Sequence, residues 1–333
     1  MLDLKEQYAG KKVLITGGLG FIGSNLAHKL VSLGGEVTIL DANLARYGGN
    51  YFNISEIKDQ VIVEEGDIRD SSVINRHIFG KNVIFNLAAQ VDHNYGMQNP
   101  HLDIDINCKG HINVLEECRK NNPNARIVFP GSRMQYGKVS DSDLPVHETH
   151  QLRPLSIYAA NKAAGELYYM AYNNHHKLDT VSLRVTNPFG PRAQVKHPGY
   201  CIVNWFVRQA LEGKDITIYG DGAQIRDYIF IDDLVDAFLT AGVHPNAKGR
   251  VYNAGSGTPM HFRDMAKQVM GFANGGQVRN VPWPENYENV ETGNFYADIT
   301  RIHSELGWKP ETPFEEGLKK TVDFYRENLA KYI

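Results

Sequence analysis

The chain has 333 residues, a formal net charge of −3, and 42% hydrophobic and 22% charged residues. That balance suits a globular protein with one large domain or two moderate ones, and it suggests neither a nucleic-acid nor a membrane footprint. The N-terminal Met1-Leu2-Asp3-Leu4-Lys5-Glu6 reads as too polar for a signal peptide, and no apolar run approaches the about 20 residues of a membrane span. The three cysteines, Cys108, Cys118 and Cys201, lack metal-ligand spacing, so no metal is expected and a reducing cytoplasm is the expected location.

Lys11 to Thr16 reads as a buried strand running into Gly17-Gly18-Leu19-Gly20-Phe21-Ile22-Gly23, with an amphipathic helix from Ser24 to Ser32. Gly17, Gly20 and Gly23 between strand and helix allow a tight turn and the close approach of a pyrophosphate to free helix N–H groups, with Phe21 and Ile22 in the same loop. A second strand, Glu36 to Leu40, ends at Asp41, 24 residues after Gly17. A carboxylate there accepts the ribose hydroxyls of NAD and would repel the 2′-phosphate of NADP. Strand and helix signals then alternate. Val61 to Val63 leads to Asp67 and Ile68; the apolar run Val83 to Ala89 leads to Gln90; a helical stretch near Ile104 to Lys120 precedes the strand Arg126 to Phe129. Such alternation predicts an α/β fold with a Rossmann-type, doubly wound parallel sheet, and sites at the C-terminal strand ends. Asp67, Ile68, Leu87, Ala88, Ala89 and Gln90 occupy such ends and are expected on the cofactor side.

Ser132 follows the last of these strands, 26 residues before Tyr158 in Tyr158-Ala-Ala-Asn-Lys162. A spacing of four puts Tyr158 and Lys162 on one helix face. An ammonium beside a phenol is expected to lower its pKa, so that Tyr158 could take a proton from an alcohol near neutral pH. A serine hydroxyl both donates and accepts, so Ser132 could bridge a substrate hydroxyl and that tyrosine.

In this order the glycine loop, Asp41, Ser132, Tyr158 and Lys162 resemble the extended short-chain dehydrogenase/reductases, and more narrowly their nucleotide-sugar epimerases and dehydratases. The resemblance continues through Asn107-Cys108-Lys109-Gly110, Arg184 to Arg192, Tyr219-Gly220-Asp221-Gly222, Arg226 to Asp233 and Leu306-Gly307-Trp308. It implies an NAD-binding domain over residues 1–186 with a returning piece at 226–254. A smaller mixed α/β domain over 187–225 and 255–333 would bind the nucleotide sugar. It also implies a homodimer. Asn107 would support the helix carrying the active site on the cofactor side. Asn187, Arg192, Tyr219 and Arg226 are expected on the substrate side, with Arg226 on the diphosphate.

The implied chemistry begins with oxidation of a sugar hydroxyl: Tyr158 takes the proton, and NAD accepts the hydride. Dehydratases resembling this chain carry an Asp-Glu pair just after the catalytic Ser or Thr, and decarboxylases usually a glutamate at the second of those positions. Here Arg133 and Met134 stand there, and neither does that work. Epimerisation, most simply at C4, is therefore expected, with both side chains against the substrate. Arg133 would bind a sugar carboxylate or simply touch substrate or a neighbouring loop. A rewired dehydratase or decarboxylase, a ketosugar reductase, and a non-catalytic NAD-binding sensor are the other readings. Epimerases of this type commonly carry an Arg-x-Gly-Asp segment where this chain has Glu288-Asn289-Val290-Glu291. Either another cation, Arg192, Arg279 or Arg301, replaces it, or the nucleotide sits differently. His93 would touch the sugar or satisfy a loop. Tyr168, Tyr169 and Tyr172 fit a packing or dimer face.

Overall fold

The computed structural model describes residues 2–44, 46–284 and 291–333. Its centre is a seven-stranded parallel sheet with strand order β10-β6-β5-β4-β1-β2-β3. The strands are β1 (Lys12–Thr16), β2 (Glu36–Asp41), β3 (Val61–Glu65), β4 (Val83–Asn86), β5 (Arg126–Ser132), β6 (Asp179–Val185) and, after three strands described below, β10 (Val251–Ala254). Continuous apolar runs make the central strands β1, β4 and β5, as expected where both faces of a parallel sheet are covered. Alternate residues feed opposite layers. Val13, Ile15, Val83, Phe85 and Val128 enter one core cluster, whereas Leu14, Ile84, Ile127 and Phe129 enter another.

The smaller elements form two further sheets. β7 (Asn187–Phe189), β9 (Ile225–Phe230) and β11 (Pro259–His261) make a mixed three-stranded sheet, and β8 (Ile216–Tyr219) pairs with β12 (Val278–Val281). Within the stretch 226–254, β9 therefore lies in the small sheet. The helix Ile231–Val243 packs on the large one and β10 joins its edge.

Several elements differ from the sequence reading. The first long helix begins at Phe21, because Gly20 already stands as its N-cap. The apolar run 83–89 stays extended only to Asn86. The expected single helix near 104–120 is three pieces, Pro100–Ile104, a π-helical turn Asp105–Gly110, and His111–Asn121. Among the described residues, no helix is long and apolar enough to cross a membrane.

Strand order reverses on either side of β1, whose neighbours are β2 and β4. The crossovers there leave in opposite directions and open a crevice at the C-terminal strand ends.

Candidate active site

A cleft runs along that crevice from the glycine loop to the start of the helix Ile157–His176. Gly17, Gly20, Phe21, Ile22, Gly23, Asp41, Asp67, Ile68, Leu87, Ala88 and Ala89 line one end, and His93, Ser132, Arg133, Met134, Tyr158, Lys162 and Asn187 the other.

The glycines are forced by contact. Gly17 has φ +70°, and a Cβ there would stand 2.9 Å from the Ala88 backbone. A Cβ on Gly23 would stand 2.4 Å from the Gly17 carbonyl oxygen. No side chain caps the first turn of Phe21–Ser32, so its N–H groups and dipole face the cleft unclaimed by any side chain. Asp41 accepts from the backbone N–H groups of Leu19 and Asn43 at 3.0 and 2.8 Å, and burial raises its pKa. A dinucleotide fits this cradle: close backbone approach and free N–H groups for a pyrophosphate, and a fixed carboxylate for ribose hydroxyls.

At the other end, Ser156 caps the helix Ile157–His176 by accepting from the Ala159 N–H at 3.2 Å. Gly165 lets this helix lie tight on β5, since a Cβ there would meet the Phe129 ring at 2.8 Å. A buried ion pair pins the helix to β6. Arg184 donates to both carboxylate oxygens of Glu166, at 2.8 and 2.6 Å, and Gln135 adds a third hydrogen bond at 3.1 Å. Tyr158 and Lys162 are thereby fixed at the cleft wall, 8% and 2% exposed.

The electrostatics differ from the sequence expectation. Burial pushes the Tyr158 phenol up to about 12, against the opposing pull of the neighbouring Ser132 hydroxyl and the charge of Arg133. Burial also brings Lys162 down to about 8. The ammonium stands 6.0 Å from the Tyr158 ring centroid and donates to the Pro130 carbonyl at 3.0 Å. Both groups share one dry site, and desolvation of the phenolate outweighs the opposing pull of Ser132 and Arg133. The protein's own atoms therefore do not lower the Tyr158 pKa. Burial lowers the His93 pKa, only partly opposed by Asp92.

Five residues expected at the site do not line the cleft. Gln90 and Asn107 lie fully buried beneath it. Asn107 accepts from the Gln90 N–H at 3.1 Å and donates to the Gln90 carbonyl and Asp103, both at 2.8 Å, while Gln90 donates to Asp103 at 2.6 Å. They satisfy backbone groups freed where β4 ends. Arg192 donates to Asn25 at 2.9 Å and stands 3.6 Å from Glu56, tying its loop to the helix Phe21–Ser32. Tyr219 packs on Trp283 with ring centroids 5.5 Å apart. Arg226 pairs with Glu291 and donates to the Ile225 and Gly293 carbonyls at 2.9 and 2.6 Å. Of the other cations considered for a diphosphate, Arg279 pairs with Asp215 at 2.5 Å and Arg301 stands 3.7 Å from Glu148. Glu288, Asn289 and Val290 lie outside the described residues.

Sequence reasoning missed the far wall, where Tyr47, Gln194, Tyr200 and Cys201 join the lining. These come from irregular loops that no periodicity announces. The loops clasp each other: the Tyr200 hydroxyl donates to the Arg46 carbonyl at 3.1 Å, and the Arg46 guanidinium stacks 3.7 Å above the Tyr95 ring.

Fold and site together define a dinucleotide-binding enzyme scaffold of the Rossmann class. Residues 13–255 match the NAD dependent epimerase/dehydratase family, and the chain belongs to that family. It is 32% identical over 316 residues to a UDP-glucose 4-epimerase of Mycolicibacterium smegmatis, covering 95% of this chain and 98% of that one. It is 30% identical over 329 residues to a dTDP-glucose 4,6-dehydratase of Streptomyces niveus, covering 96% and 94%. The solved structure of a Thermus thermophilus UDP-glucose 4-epimerase in complex with NAD superposes with a TM-score of 0.85 at 31% identity, over 95% of this chain and 99% of that one.

Proposed function

We propose that this chain interconverts epimers of a nucleotide-diphosphate sugar at C4, through a transient 4-keto sugar, with NAD as resident cofactor. The observation that carries this reading is the composition of the catalytic wall. Ser132, Tyr158 and Lys162 face one cleft with the glycine cradle, and the two positions after Ser132 hold Arg133 and Met134. Elimination of water from the keto sugar needs an acid and a base beside it; a guanidinium protonated at neutral pH and a thioether supply neither.

NAD would be held by the Gly17–Gly23 loop, Asp41 and the β3 and β4 ends, and when bound it supplies a reversible hydride acceptor. The chain's own residues do the rest. Tyr158 takes the proton of the sugar hydroxyl, directly or through Ser132, and returns it. Since burial holds the phenol near 12, the positive charge of an oxidised nicotinamide is the further influence that would favour the phenolate. Lys162 would hold the nicotinamide ribose, and Met134 and His93, which line the same cleft, would exclude water around the sugar. The same reading makes the protein a cytoplasmic homodimer.

Dehydration is the second reading, favoured by the similarity to dehydratases. The experiment is to release and assay the bound nucleotide, then incubate the protein with a panel of nucleotide sugars and follow products by NMR. Epimers formed without added NAD support the proposal; a 4-keto-6-deoxy product or net consumption of NADH overturns it.

A further inference from the structure

Arg133 is a buried cation without an anion. It is 9% exposed, it lines the cleft, and it directly follows Ser132. Two of its five N–H groups are spoken for, both by neutral oxygens. Nε donates to the Asn187 side-chain carbonyl at 3.1 Å and Nη1 to the Thr292 hydroxyl at 2.9 Å. No described residue accepts from Nη2, and no carboxylate of the described residues lies within ion-pair distance. The two nearby acids are committed elsewhere. Glu291 pairs with Arg226. Asp227 is filled by the N–H groups of Ser256, Gly257 and Ala297 and by the Ser256 hydroxyl, at 2.7 to 3.1 Å.

Burial, with repulsion from Arg226 added to it, lowers the Arg133 guanidinium to about 10, still protonated at neutral pH. A second polar group nearby is also unmatched. Tyr228, 4% exposed and within electrostatic reach of both arginines, has a buried hydroxyl with no hydrogen-bond partner among the described residues. Burying a guanidinium against only neutral acceptors is costly unless an anion arrives to complete it. The planar fork with a free edge is shaped for a carboxylate. Its position also matters. Arg133 is close enough to Tyr158 and His93 to bias both, so the missing anion belongs at the reacting end of the substrate.

We infer that Arg133 recognises a carboxylate on the sugar itself and that the substrate is a nucleotide-linked acidic sugar of the uronic-acid class. This rests on the nucleotide-sugar reading above and names the substrate class of that site. Asn187 and Thr292 position the guanidinium through its Nε and Nη1 edges, and the Nη2 side meets the ligand.

The test compares matched pairs that differ only in the acid, UDP-glucuronate against UDP-glucose and the corresponding pairs on other nucleotides, with the native protein and Arg133→Gln. The native protein should favour the acid in kcat/KM by about 100-fold, the scale expected for a buried charge pair. Arg133→Gln should lose turnover of the acid about 100-fold and with it the preference for the acid over its neutral partner. Equal or better turnover of the neutral sugar by the native protein overturns the inference. So does an equal loss on both sugars in Arg133→Gln, which would place the guanidinium on the diphosphate. If the variant fails to fold, the native preference alone decides. If neither sugar is turned over, the proposed function falls. The inference is then read from calorimetric binding, where tighter binding of the neutral sugar sinks it and preference for the acid sustains it.

Discussion

Replacing Lys162 by methionine should abolish turnover and yet stabilise the protein in a pH-dependent way. The side chain is 2% exposed, and burial lowers its pKa from 10.5 to about 8. Folding therefore disfavours the ammonium. Below about pH 8 both folded and unfolded chains hold the proton, and the folded state carries the whole penalty. Between about pH 8 and 10.5 the unfolded chain binds more protons than the folded one, so stability rises with pH through that window. At about 1.36 kcal/mol per pH unit the full change is about 3 kcal/mol. Methionine has a similar length and no charge. It also gives up the hydrogen bond to the Pro130 carbonyl at 3.0 Å, a loss of about 1–3 kcal/mol that does not vary with pH. The difference in unfolding free energy between native and Lys162→Met proteins, from denaturant melts at matched cofactor loading, isolates the pH-dependent part. It should move by about 3 kcal/mol in favour of the native protein between about pH 7 and 11. A difference that stays flat across that range, or moves the other way, would refute the claim that Lys162 is held in a desolvated site.

Two other perturbations probe the scaffold. Gly17→Ala forces a Cβ to 2.9 Å from the Ala88 backbone at φ +70°; it should cost about 1–3 kcal/mol and strip the copurified nucleotide, read by absorbance after denaturation, and retention of a full complement of NAD would contradict the cradle. Glu166→Ala leaves Arg184 buried without its anion and should cost about 3–5 kcal/mol in chemical melts; adding Arg184→Met should recover much of that, and a double variant as unstable as the single one would show that the pair itself is not what holds the helix.

Five strands of the large sheet, β1 to β5, are legible from their apolar runs and from the order of motifs, whereas β6, in which apolar and polar residues alternate, and the short edge strand β10 give no such signal. The cofactor end is legible for a similarly local reason: Gly17, Gly20, Gly23 and Asp41 belong to one strand–helix–strand unit, and all reach the cleft. Long-range pairing leaves no such trace. Arg226 has the chemistry of a phosphate ligand, yet Glu291, 65 positions away in sequence, stands beside it. Arg192 turns inward to Asn25 across 167 positions. Gln90 and Asn107 are supports rather than contacts, because a π-helical turn brings Asn107 under the backbone of Gln90. For Tyr158, helical spacing gives the neighbour but not the dielectric around it. The spacing of four is right about adjacency, while depth of burial belongs to the assembled sheet.

In the proposed reaction, oxidation and reduction occur at one carbon, with Tyr158 handling only the proton. The most direct test uses a nucleotide sugar carrying deuterium at C4, turned over in ordinary water, with the epimer analysed by NMR and mass spectrometry. The epimer should keep its deuterium at C4, with no exchange into solvent, and Tyr158→Phe should slow the reaction by at least about 100-fold. Loss of deuterium to water, or a 4-keto-6-deoxy product carrying the deuterium at C6, would contradict this mechanism.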